Sequence, residues 1–133
     1  GAARAYATIV ENTAFTPEQQ KASLYKWAWC LAESGDQPEA IRIYTSFVEK
    51  NPQDKLAATA ILQRGLAKQK TGDFDSSLSD FELVVKAYPF SEEVEIAILQ
   101  IALTYGQKKN YSEMSNAFRL LLQNTYEIPL STF

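Results

Sequence analysis

Few residues in this chain are equipped for catalysis. Histidine is absent, which removes the side chain that most often moves protons near neutral pH. Cys30 is the only cysteine, and no imidazole is available to activate it. It lies in the run Leu24-Tyr25-Lys26-Trp27-Ala28-Trp29-Cys30-Leu31, an apolar helical stripe in which a thiol reads as a small hydrophobe. A single cysteine excludes an internal disulfide and suits cytoplasm and periplasm alike. Glu92, Glu93 and Glu95 bring three carboxylates together, as metal ligands would, but they also open a helix, whose positive end favours them without any metal. The same explanation covers Asp73 and Asp75. There is no glycine-rich phosphate loop, and no residue pattern calls for a cofactor. The expectation is a protein that is not an enzyme.

Charge narrows the partners. The net charge is −3, and both signs are scattered along the chain, so the basic stripe that nucleic-acid binding needs is missing. A helical-repeat RNA binder is therefore the least favoured reading. No apolar run approaches the length of a membrane span, so no membrane insertion by this segment is expected. The first residues show no basic stretch followed by an apolar one, so they do not read as a signal peptide.

The elements that position these residues are all helical. Thr16-Pro17-Glu18-Gln19 is a helix start, with Thr16 as cap, Pro17 in the first turn and Gln19 completing a capping box. That helix is predicted over 17–34 and ends at Gly35. Asp36 caps a helix to about 50, with Glu39 three residues on. Pro52 opens a third helix to about 70, closed by Gly72, and Asp73 caps a fourth to about 87. Ser91 caps a fifth to about 108, and Asn110, with Glu113, caps a last one to about 124. Residues 2–12 precede them and realign on 40–50: Ala2, Arg4, Tyr6, Val10 and Glu11 recur as Ala40, Arg42, Tyr44, Val48 and Glu49. The opening helix thus reads as the second member of a pair whose first member is missing, and the chain as a fragment of a longer array. Seven helices and no strand are expected.

The register repeats every 37 residues. Asp36, Asp73 and Asn110 keep the step, as do Tyr44, Phe81 and Phe118, and Phe47, Val84 and Leu121. A period of this size in an all-helical chain marks a solenoid, because one helix pair cannot bury its apolar stripe without its neighbours. The units are 1–15 (orphan second helix), 16–51, 52–90, 91–125 and a tail, 126–133. In the tail, Ile128, Leu130 and Phe133 either cover the last pair or dock on another copy.

At these residues the chain resembles the tetratricopeptide repeat family. The first repeat supplies Trp27, Ala28, Leu31, Gly35, Ala40, Tyr44, Phe47 and Pro52 at the family's large, small, aromatic and proline places. The third supplies Ile101, Ala102, Tyr105, Met114, Phe118 and Leu121. The second departs, with Arg64 before Gly65 and Ser77 in place of alanine. Arg64 either lays its stem on apolar surface with its head paired to an acid such as Asp80, or contacts a ligand. The resemblance implies a single all-α domain, a right-handed α-solenoid of antiparallel helix pairs. The family's usual period is about 34. The three extra residues are expected to lengthen the first helix of each pair. With the Ala87–Ser91 boundary, this looks like the family's bacterial envelope branch, which includes proteins of outer-membrane assembly and of the cell-division and Tol-Pal machinery; that branch favours periplasm or cell envelope over cytoplasm, and the residues themselves leave the compartment open.

The resemblance also implies a binding face. In this family a second stripe of the first helices lines a concave groove. Here it reads Ala22, Tyr25, Trp29 and Ala32; then Thr59, Leu62, Leu66 and Gln69; then Ile96, Leu99, Leu103 and Gly106. Spacings of three and four keep each set on one helix face. The lysines and asparagines with which some members clamp a C-terminal carboxylate are missing, Tyr25, Trp29 and Gln63 standing there instead. Tyr25, Trp29, Leu62, Leu66, Gln69, Leu99 and Leu103 are the candidate partner-binding residues, for an apolar peptide or amphipathic helix. A groove filled by the chain's own packing is the competing reading. The function expected is that of a non-catalytic protein–protein scaffold. The alternatives are a self-assembling segment of a larger envelope protein, or a regulatory domain beside a catalytic one.

Overall fold

Caps and glycines divide the chain into helices at the repeat step. The computed structural model describes residues 2–11 and 14–126. Among these, seven helices and no strand occur: α1 (Ala2–Glu11), α2 (Pro17–Glu33), α3 (Gln37–Lys50), α4 (Ala57–Lys70), α5 (Phe74–Ala87), α6 (Val94–Gln107) and α7 (Tyr111–Tyr126). At the start of α2 both halves of the capping box form, Thr16 Oγ1 accepting from the Gln19 amide at 3.1 Å and the Gln19 side chain accepting from the Thr16 amide at 2.9 Å. Asp36, Asp73 and Asn110 each accept the amide three residues on, at 3.4, 3.4 and 3.3 Å. The turn before each of these caps needs a left-handed residue. Gly35 (φ 96°) and Gly72 (φ 84°) supply two, and Lys109 (φ 61°) takes the third place, where glycine's freedom is missing.

In the second and third repeats the extra length lies between the pairs, not within the first helix. The first helices α4 and α6 are 14 residues long, no longer than the second helices α3 and α5, while the first helix of the first pair, α2, has 17. The pairs are joined by residues 51–56 and 88–93, each folded as two successive turns. Pro52 and Pro89 sit in these turns rather than at helix starts. Ser91 does not cap α6, which begins after Glu93 without a side-chain cap. The two connections are themselves tied, the Tyr88 hydroxyl donating to the Pro52 carbonyl at 2.8 Å. Lys21 reaches from α2 to Asp54 in the first connection at 2.6 Å.

Each helix packs on its neighbours in sequence, and α2 also touches α4. The core forms two adjoining clusters. One joins Leu24 and Ala28 of α2 to Ala40, Ile43, Tyr44 and Phe47 of α3 and Ala60 of α4. The other joins Ile61 and Leu62 to Phe81 and Val84 of α5, Ala97, Ile98 and Ile101 of α6, and Ala117 of α7. Val48 packs against both. The second repeat's departures are accommodated together. A Cβ at Gly65 would lie 2.6 Å from the buried Phe81 ring, so glycine sets the approach of α4 to α5. Arg64 grips buried Asp80 bidentately, at 2.9 and 2.6 Å. It also reaches Thr45 Oγ1 at 3.2 Å, while Lys68 approaches Asp80 at 3.0 Å. Arg64 is thus paired with the acid named from the sequence. Removing one partner from a pair this buried costs about 3–5 kcal/mol.

Candidate protein-interaction surface

The stripe read from the sequence divides into exposed and covered parts. Trp29 on α2 is 45% exposed, and on α6 Leu99 and Leu103 are 36% and 40% exposed. Ile96, from the same stripe, is open too. Leu62, at Leu99's place one repeat earlier, is 3% exposed and belongs to the core with Val94, Ala97 and Ile98. Leu66 is half-buried against the same cluster. The middle of the stripe is therefore packing surface rather than open groove, because Leu62 shares a core cluster with Val94, Ala97 and Ile98 and Leu66 packs against it.

Tyr25 is half-buried for a related reason. Its ring stands edge-on to Tyr44, with centroids 5.9 Å apart, and to Phe47, 6.0 Å apart, joining α2 to α3. Burial, and then the carboxylate of Glu93, push its hydroxyl pKa up. Gln69 faces the next repeat, its amide donating to Thr104 Oγ1 at 2.9 Å and to the Gln100 side chain at 3.2 Å. With Thr59 donating to Glu93 at 2.8 Å, this fastens α4 to the α6 region at both ends. Of the seven candidate residues, Trp29, Leu99 and Leu103 present large open apolar surface; Tyr25 packs within its own helix pair, and Leu62, Leu66 and Gln69 face the packing between repeats.

The residues screened for chemistry are placed as follows. Cys30 is half-buried. Glu93 serves Thr59, and Asp75 is ion-paired with Lys108. Among the described residues no helix is long and apolar enough to cross a membrane. Ile128, Leu130 and Phe133 lie outside the described residues.

Tandem antiparallel pairs, each covering its predecessor at a fixed step, define a helical-repeat solenoid. Its solved counterparts include MamA, residues 41 to the end, from Desulfovibrio magneticus RS-1, which superposes with a TM-score of 0.63 over 96% of this chain and 78% of that one at 19% identity. At that identity the likeness concerns the fold. No curated protein matches the sequence. The family itself comes from the repeats: the tetratricopeptide repeat family matches residues 22–54 and 59–91, and over these two units the chain belongs to it. Both matched segments start on a first helix, run through the second and reach the connection behind it, so the family's unit and the structural unit coincide. Neither likeness places the chain in the bacterial envelope branch.

Proposed function

We propose that the chain is a protein-binding scaffold that holds an apolar peptide or amphipathic helix against the open part of its first-helix face. Repeats of this family generally mediate protein–protein contact. The observation that carries the reading is the exposure of Trp29, Leu99 and Leu103, large side chains on one face that solvent alone does not favour. The covered middle confines binding to the α2 end and the α6 end. Selection of amphipathic helices from a displayed library against the intact chain should enrich sequences with a continuous apolar face. The Trp29→Glu/Leu103→Glu variant should lose their capture while its thermal midpoint stays within a few degrees. Capture that survives both substitutions removes this face from the function. Leu66→Glu is unsuited to the test, because Leu66 packs on the core.

One observation favours a second reading, self-assembly. Leu62 and Leu66 are covered by the following first helix, whereas their counterparts Leu99 and Leu103 have none over them among the described residues. Another copy would then supply that cover. Sedimentation velocity across a concentration series separates the two readings: a scaffold of the first kind stays monomeric until peptide is added. The envelope role drew on a lengthened first helix in every pair, which α4 and α6 do not have, and is not carried further.

A further inference from the structure

The second-helix side carries a different feature, independent of the first-helix face. Between α5 and α7, above α6, lies a cleft of about 310 Å³. Ile98, Ile101 and Ala117 form its apolar floor, and Glu82, Glu113 and Tyr105 stand among its lining residues. The repeat itself identifies what such a position accommodates. Moving back 37 residues turns Ile101 into Arg64, Tyr105 into Lys68, Ala117 into Asp80 and Glu82 into Thr45. In the second repeat this place is filled from within: the Arg64 stem runs across it, and its head is held by Asp80 and Thr45. In the third repeat the arginine and its acid are gone, and the space is open. Acidity has moved to the margin, since Glu82 stands where Thr45 does and Glu113 where Ser76 does. Neither carboxylate is ion-paired with a described residue. The Tyr105 hydroxyl, its pKa raised by burial and then by Glu82 and Glu113, senses both charges. Lys86, one turn beyond Glu82 on α5, is exposed and is the one cation among the lining residues.

We propose that the α5–α7 cleft receives an arginine side chain of a partner protein, its stem on Ile98, Ile101 and Ala117 and its guanidinium between Glu82 and Glu113. Arginine suits the place because its stem is apolar and its planar head can bridge two carboxylates. The cleft would thus take from outside what the preceding repeat supplies from inside.

The test uses the intact chain, isotope-labelled at isoleucine methyls, and a short acetylated, amidated peptide with one central arginine among alanines. Its citrulline twin has the same shape without the charge. The arginine peptide should shift the Ile98 and Ile101 methyls, and the citrulline peptide should bind about tenfold more weakly or worse. Glu82→Gln/Glu113→Gln removes both charges while keeping the shape of a half-buried and an exposed side chain, and should weaken arginine binding by a similar factor. Raising ionic strength from about 0.05 to about 0.3 M should weaken it further. The Ile101→Arg/Ala117→Asp variant, which rebuilds the second repeat's pair in the third, should fold and bind neither peptide. The proposal is overturned if the arginine peptide leaves these methyls unmoved at millimolar concentration, if citrulline binds equally well, or if the double glutamine variant binds unchanged. A lysine peptide binding more tightly than arginine would also overturn the choice of guanidinium.

Discussion

Tyr44 shows how one atom can be at odds with its surroundings. The side chain is fully buried, its ring packs against Tyr25, and its hydroxyl finds no hydrogen-bond partner among the described residues. Burial pushes that hydroxyl's pKa far up, so it stays protonated. The equivalent positions of the next two repeats hold Phe81 and Phe118, which fill the same place without a polar atom. A buried unsatisfied hydroxyl costs about 1–3 kcal/mol. Tyr44→Phe is therefore expected to raise unfolding free energy by about 1 kcal/mol, read from urea denaturation of the two proteins side by side. A loss of stability would mean that the hydroxyl is bonded after all. The repeat pattern placed Tyr44 in the core from sequence alone, but it could not show whether the oxygen is satisfied, since that depends on which groups of α2 face it.

At the scale of elements, the turns and connections set the energetics. Gly35, Gly72 and Lys109 occupy one register position, and all three are left-handed. A side chain in that conformation costs about 1–2 kcal/mol, partly offset because glycine leaves the unfolded chain freer. Lys109→Gly should stabilise the protein by about 0.5–1 kcal/mol, visible as a higher thermal midpoint. The connection behind α3 is held by charge. A hydrogen bond from Lys21 holds the Asp54 carboxyl below its ordinary value, and bonds to Asp54 and then Glu18 raise the Lys21 ammonium above its own. The stabilisation from Asp54 is complete above the ordinary aspartate pKa of about 3.9 and is lost as pH falls through the lowered folded value. That from Lys21 is complete below about 10.4 and is lost as pH rises through the raised folded value. Denaturant melts from pH 7 down to pH 3 should fall less steeply for Asp54→Asn than for the parent. The helix starts were legible in Thr16, Asp36, Asp73 and Asn110, because capping is a local interaction. The six-residue connections were not: Pro52 and Pro89 suit a helix start as well as a turn, and only the packing of one pair on the next decides between them.

For the whole molecule, neighbour-only packing dictates how stability is distributed. Among the described residues α1 packs chiefly on α2 and α7 chiefly on α6, whereas α2 to α6 are each covered on both sides. A repeat array behaves as a row of units coupled to their neighbours, so protection should be graded along it. Amide hydrogen exchange should be fastest in α1 and slowest in α4 and α5; uniform protection would show a single cooperative unit instead. The fold was legible because the 37-residue step is a property of the sequence. The binding face was legible only in part. Leu62 and Leu99 are the same residue at the same register position, yet one is core and the other surface, because exposure depends on which helix comes next. The side-chain bonds between α4 and α6 bear on elasticity as well. Thr59–Glu93 and Gln69–Thr104 pin the two repeats along their first-helix edge, at both ends of α4. The opposite edge, between α5 and α7, has a cleft instead of a bond network. Flexing of the array should therefore pivot about the first helices, opening and closing the second-helix side like a book whose spine is α4 and α6.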